Sequence, residues 1–220
     1  MVLLIGTLVA ALLIGLALFA VSRKDPNAAA GGEGNFNYAS LPYAGQQDAK
    51  VNVLVVEDFK CPVCKSFEET VAPQLHTNYV DNGKIKLYSL VWPFLSKNVG
   101  LTVDDSKFAA QAGRCVFEEG GNEAFTSFKA ILFRAQGDER TAWATKDRLK
   151  ELAGNVEGLD HEKFATCLDT DATAAAVEAD VKAAEDNRIT GTPTVFVNGQ
   201  KVANGMSYAD VSKAIDEALK

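Results

Sequence analysis

Few residues of this chain have types and spacings that could do chemistry: four cysteines and two histidines among 220 residues. Cys61-Pro62-Val63-Cys64 sets two thiols two residues apart, while Cys115 and Cys167 are isolated. Two cysteines so spaced, the first at a strand end and the second inside the following helix, can close a small disulfide ring that exchanges with other thiols. In the reduced form the first sulfur faces the free N–H groups and positive end of the helix, so its thiolate is stabilised and its pKa falls. Cys61 is therefore expected to be the attacked, exposed sulfur, and Cys64, one turn inside, the shielded resolving thiol. Half of a zinc site or an inert bridge are the competing readings. Zinc takes four ligands, and no second Cys-x-x-Cys or paired-histidine motif supplies them. His76 and His161 read as surface or packing residues, so no metal and no cofactor is expected.

The elements that must position this pair follow from apolar spacing. Val51-Asn-Val-Leu-Val-Val56 reads as a buried strand, and Lys60-Cys61-Pro62 as the strand-to-helix turn with proline at the first helical position. Phe67, Val71 and Leu75 continue the helix, with a kink expected at Pro73. Ile85–Val91 reads as a second strand. Between about 104 and 187 the period becomes helical throughout: Phe108, Ala112, Cys115; Phe125, Phe128, Leu132; Leu149, Leu152; Phe164, Cys167, Leu168; Val177, Val181, Ala184. Thr194–Val197 and Gln200–Ala203 form a hairpin about Asn198-Gly199, a turn suited to type I′ geometry. A last helix starts at Ser207 with Asp210 in a capping-box position, burying Tyr208, Val211, Ile215 and Leu219. The two ends must build one sheet around a helical insertion. Before the hairpin, Gly191-Thr192-Pro193 suggests a tight turn that tolerates a cis bond, an ordinary loop proline being the alternative.

Forty-seven per cent hydrophobic content supports a packed core, and a net charge of −7 leaves no basic stripe for nucleic acid. Val2–Val21 is an uncharged apolar run long enough to span a bilayer. It is read as an uncleaved anchor, although Ala20-Val21-Ser22 has the pattern of a signal-peptidase site. Arg23 and Lys24 follow the run and no basic residue precedes it, which by the positive-inside rule would keep the domain in the cytoplasm. A start further upstream with basic residues reconciles the two, and reading the upstream genomic frame tests it. The expected organisation is an anchor or signal over 1–22, a flexible linker over 23–47 and a folded domain over 48–220. Cys115 shares a helical face with Phe108 and Ala112, and Cys167 with Phe164. Both sulfurs should enter the insertion's core as a structural disulfide, two unpaired buried cysteines being the alternative.

Glu57-Asp58-Phe59-Lys60-Cys61-Pro62-Val63-Cys64-Lys65-Ser66-Phe67 and Gly191-Thr192-Pro193-Thr194-Val195-Phe196-Val197-Asn198-Gly199 together resemble the two signatures of the DsbA family, over roughly residues 46–220. The resemblance implies an α/β thioredoxin-like fold with an inserted helical domain, here preceded by one transmembrane helix. It also implies catalysis of disulfide formation in exported proteins outside the cytoplasm, in the periplasm or at the bacterial cell exterior. Pro193 would be the family's cis-proline beside the cysteines, and Thr192 would offer its backbone to a substrate peptide. The implied partners are exported thiol proteins and a membrane quinone-linked reoxidant of the DsbB or vitamin K epoxide reductase type. A thiol reductase or isomerase of the same fold, or an anchored metal-binding module, are the alternatives.

Two departures qualify the resemblance. Val63 stands where the best-known members have histidine, and Val55 where they have a buried glutamate. Val63 cannot donate to the Cys61 thiolate, which predicts a weaker oxidant. Lys60 and Lys65 either compensate in part or are ordinary solvated lysines. Glu57 and Asp58 are candidates for proton transfer with Cys64 or are exposed strand-end residues. Trp92 and Trp143 belong to the core or to a substrate groove.

Overall fold

The structure, a computed structural model, describes residues 34–220. The run Val2–Val21, read as a membrane anchor, lies outside these residues; among those described, no helix is long and apolar enough to cross a membrane.

A β-branched run that is apolar at nearly every position suits a strand covered on both faces, and Val51–Glu57 (β2) is that strand at the centre of a five-stranded sheet. The order is β1-β3-β2-β4-β5, with β1 at Tyr43–Ala44, β3 at Ile85–Val91, β4 at Thr194–Val197 and β5 at Gln200–Lys201. β2 pairs in parallel with β3, from Val51 opposite Ile85 to Glu57 opposite Val91, and antiparallel with β4. The parallel pair needs a crossover, supplied by α1 (Pro62–Thr70), α2 (Ala72–Leu75) and a π-helical turn, His76–Val80. The break between α1 and α2 falls at Val71, two residues before Pro73, whose ring cannot continue the hydrogen-bond ladder. Asn198 and Gly199 both have positive φ, 47° and 82°, and close the β4–β5 hairpin.

Alternate residues of β2 point to two cores. Val51, Val53 and Val55 pack with Phe67, Leu75, Val211 and Ile215, so α1, α2 and the last helix, α8 (Tyr208–Ala218), cover one face. Leu54 and Val56 pack with Phe36, Leu41, Phe196 and Ala184 on the other. The spacer read over 23–47 therefore ends sooner: Phe36 stacks edge-on against Phe196 at 4.9 Å, and Tyr43–Ala44 pairs with Tyr88 and Leu87. These apolar residues are too irregularly spaced to announce an element, yet they cover sheet surface that would otherwise be wet. Leu219, expected inside, is 40% exposed, because α8 turns its apolar stripe to the sheet through Val211 and Ile215 alone.

Between β3 and β4 stand a short α3 (Leu95–Asn98), then α4 (Asp105–Ala135), α5 (Lys146–Ala153), α6 (His161–Asp169) and α7 (Ala174–Asp186). Asp104, Thr145 and Asp160 each cap a helix by accepting a backbone N–H from the first turn. α4 is interrupted at Gly121, whose φ of 68° lies in the region that glycine alone enters freely. The third core, with Phe128, Leu132, Leu149 and Phe164, belongs to this block, and Phe59, Cys61 and Cys64 are packed into it.

Candidate active site

β2 ends at Glu57, and the chain turns through Asp58-Phe59-Lys60 to place Cys61 at the N-cap of α1. Cys61 N–H donates to the Asp58 carbonyl at 2.9 Å, and Cys61 C=O accepts from Lys65 N–H at 3.1 Å. Pro62 follows at the first helical position, where its missing donor costs nothing. Cys64, one turn further, is completely buried and Cys61, expected to be the exposed sulfur, is only 6% exposed. The helical block covers it: Gln136 Nε2 donates to the Phe59 carbonyl at 2.8 Å and the Cys61 carbonyl at 3.1 Å.

The two sulfurs are not equivalent. The Cys64 thiol donates to Cys61, and with the N–H groups of Cys64 and Val63 it pulls Cys61 down to about 6 against the cost of burial. The helix end thus matters less than the partner thiol. Burial first, then donation to Cys61 and the charges of Cys61 and Glu57, push Cys64 well above an ordinary thiol. The Thr192–Pro193 bond is cis. The Cys61 thiol approaches the Thr192 carbonyl at 3.5 Å. Beside this loop lies a groove of about 330 Å³ lined by Gly191, Pro193, Val202 and Gly205. Val63, at 47% exposure, faces solvent.

Lys60, Glu57 and Asp58, each with a solvated reading from sequence, are wholly buried. Lys60 Nζ pairs with Asp105 Oδ1 at 2.5 Å and donates to the Thr141 carbonyl at 2.8 Å. Asp58 accepts from the N–H groups of Lys60, Phe94 and Leu95 at 2.8, 3.1 and 2.9 Å, and from the Ser106 hydroxyl at 3.2 Å. Burial outweighs these donors and pushes Asp58 up to about 6. Glu57 is raised to about 7 by burial, against the attraction of Lys129, whose Nζ lies 2.8 Å from both Glu57 Oε1 and Glu68 Oε1. Lys129 itself is held above the usual lysine range by those carboxylates, although burial alone would lower it.

Sequence reasoning overlooked Lys129, Asp105, Ser106 and Gln136. Lys129 had a signal, since it lies four residues after Phe125 on an apolar helical face where a lysine needs a partner. Asp105 and Ser106 read only as a helix start. Cys115 and Cys167 are joined in the helical block, with sulfurs 2.02 Å apart, and Cys61 and Cys64 are free. His76 lies 3.9 Å from Asp81, and His161 is exposed at the start of α6; neither meets the cysteines. Trp92 is half-buried and stacks on Phe94 with centroids 4.4 Å apart, while half-buried Trp143 packs near Gly137. Among the described residues, no cluster of ligating side chains could hold a metal ion.

The family described as Thioredoxin matches residues 40–217. Disulfide bond formation protein D of Bacillus subtilis is 31% identical over 179 residues, covering 81% of this chain and 77% of that protein. The probable disulfide bond formation protein D of Bacillus anthracis is 30% identical over 212 residues, covering 95% and 91% respectively. The crystal structure of oxidised BdbD from Bacillus subtilis matches with a TM-score of 0.78 at 28% identity, covering 86% of this chain and 98% of that one.

Proposed function

Because this chain belongs to the DsbA family of thioredoxin-fold thiol-disulfide oxidoreductases, we propose that Cys61 and Cys64 are its redox pair and that it donates their disulfide to exported proteins. A substrate thiolate attacks Cys61 of the oxidised pair, forming the mixed disulfide and releasing Cys64 as a thiolate. Cys64, raised far above neutrality, takes a proton, and Glu57, titrating near 7, is the buried acid whose charge it feels. A second substrate thiolate attacks the substrate sulfur of the mixed disulfide, and Cys61 leaves as a thiolate. Two electrons pass from the substrate dithiol to the pair.

The observation that carries this reading is the placement of the two sulfurs: Cys61 stands at the helix start with its sulfur 3.5 Å from the Thr192 carbonyl, and Cys64 is completely buried one turn behind it. An acidic Cys61 stabilises the reduced protein and leaves readily, which favours oxidising a substrate over reducing one. The relatives named for disulfide bond formation support the same direction. Thr192 and Pro193 border the groove in which the substrate peptide would lie, the Thr192 backbone receiving it. The Cys115–Cys167 pair is structural. The run Val2–Val21 anchors the domain on the extracytoplasmic side of the bacterial membrane, and a quinone-linked membrane protein of the DsbB or vitamin K epoxide reductase type restores the disulfide.

Trapping tests the roles. Cys64→Ser, offered a disulfide substrate such as oxidised glutathione, should accumulate a mixed disulfide on Cys61 as the second substrate sulfur leaves as a thiolate, seen by mass, while Cys61→Ser should trap none and lose all exchange. Exchange retained by Cys61→Ser, or an adduct on Cys64, would overturn the assignment.

A further inference from the structure

We propose that Asp58 is a positioning residue for the exchange reaction: fixed beside the nucleophile by the loop that enters the helical block, its negative charge sets how readily the Cys61 sulfur carries one. This rests on Cys61 being the nucleophile.

The contacts of Asp58 are more than shape requires. Both its oxygens are occupied by donors, two N–H groups from the start of α3 (Phe94 and Leu95) on one and a hydroxyl from α4 on the other, together with the N–H of Lys60. All are neutral. The one cation nearby in sequence, Lys60, directs its Nζ to Asp105 and the Thr141 carbonyl instead. Asp105 is linked back to Asp58 through the hydroxyls of Ser96 and Ser106, 3.0 Å apart. Asp58 is therefore a buried carboxylate with hydrogen bonds but no counter-ion, and the charged groups about it are Cys61, Lys60 and Asp105. Its own carbonyl also holds the Cys61 N–H, so carboxylate and sulfur belong to one rigid turn. Two negative charges in such a dry region oppose each other, and each raises the proton affinity of the other. A neutral asparagine keeps an acceptor oxygen for two of these four hydrogen bonds and removes the charge, its amide nitrogen facing the other two donors. The charge then has an effect that the geometry does not need: it holds the Cys61 thiolate, and with it the oxidising power of the pair, below what the helix end and Cys64 alone would provide.

Asp58→Asn in the full chain, equilibrated with glutathione, tests this. The equilibrium constant should move about tenfold toward the reduced protein, or about 30 mV more oxidising, and the pH midpoint for alkylation of Cys61 should fall. An equilibrium constant unchanged within twofold, or moved the other way, overturns the proposal even if the variant melts earlier. Should the variant not fold, ¹³C-labelled aspartate in the wild type decides: the Asp58 carboxyl should titrate at higher pH in the reduced than in the oxidised protein, and identical titrations overturn the idea. If wild-type Cys61 forms no mixed disulfide, the catalytic assignment has failed instead.

Discussion

The acidity of Cys61 is set by groups it does not own. A thiol donor on Cys64 and two N–H groups at the helix start favour its thiolate, and together they outweigh burial. The consequence for stability has a definite sign. The folded pKa, about 6, lies below the unfolded value of about 8.5. The resulting stabilisation of the reduced protein is present above the unfolded value and is lost as the pH falls through about 6. Glu57 and Asp58 act in the opposite sense: their raised carboxyls stabilise the fold at low pH, and that contribution fades as the pH rises through about 6 to 7. Comparing reduced wild type with Cys61→Ser cancels most of the carboxylate effect. Urea unfolding should therefore show a gap in favour of wild type that is small near pH 5 and widens up to about pH 9; a gap independent of pH contradicts the assigned acidity.

At the scale of elements, the turn between β2 and α1 is held more firmly by the helical block than by its own strand and helix. Phe59 inserts its ring among Phe125 and Phe133 of α4, with centroids 6.4 and 5.5 Å away, and is completely buried. Gln136, at the end of the same helix, donates from Nε2 to the carbonyls on either side of Lys60. Cys61 is thus carried on a segment whose side chains pack into the insertion. Phe59→Ala should cost about 3–5 kcal/mol, as large-to-small changes in a closed core do. Val63→Ala, one turn away but exposed, should stay within about 0.5 kcal/mol. Denaturant titration of the two variants measures the contrast, and equal effects would show that the turn does not depend on the block.

For the whole molecule, the question is what keeps the inserted block in one arrangement. Its core is apolar, and two further ties cross it. Arg114 of α4 forms a bidentate pair with Asp180 of α7, its third nitrogen donating to the Ser40 carbonyl, so the N-terminal segment is tied in as well. Cys115 of α4 and Cys167 of α6 are joined across a separation of 52 residues. Closing that loop should restrict the unfolded chain by about 4 kcal/mol on the chain-entropy account. Cys115→Ala with Cys167→Ala should then lower the melting temperature while leaving exchange at Cys61 intact at permissive temperature. A peptide map of the non-reduced protein showing either cysteine linked to Cys61 or Cys64 would contradict a structural role.

Periodicity and local chemistry were enough for most of the architecture. The apolar β-branched run at Val51–Val56, the proline at the start of α1, the Asn198-Gly199 turn and the Ser207 cap each express a short-range rule, and the described structure follows them. The helix start at Cys61-Pro62 and the cis bond at Thr192–Pro193 were legible for the same reason, because each depends on neighbours two or three positions away. What the charged residues around them do was not legible. Lys60, Glu57 and Asp58 look like the solvated end of a strand until a helix from 45 residues downstream closes over them, and only then does burial convert them into an ion pair, a raised acid and an uncompensated carboxylate. Residues 36–44 were likewise opaque, since their order comes from the sheet they cover and not from any period of their own. Tertiary structure decided which charges are dry, because desolvation is a property of everything packed around a group, and no local pattern of residues records it.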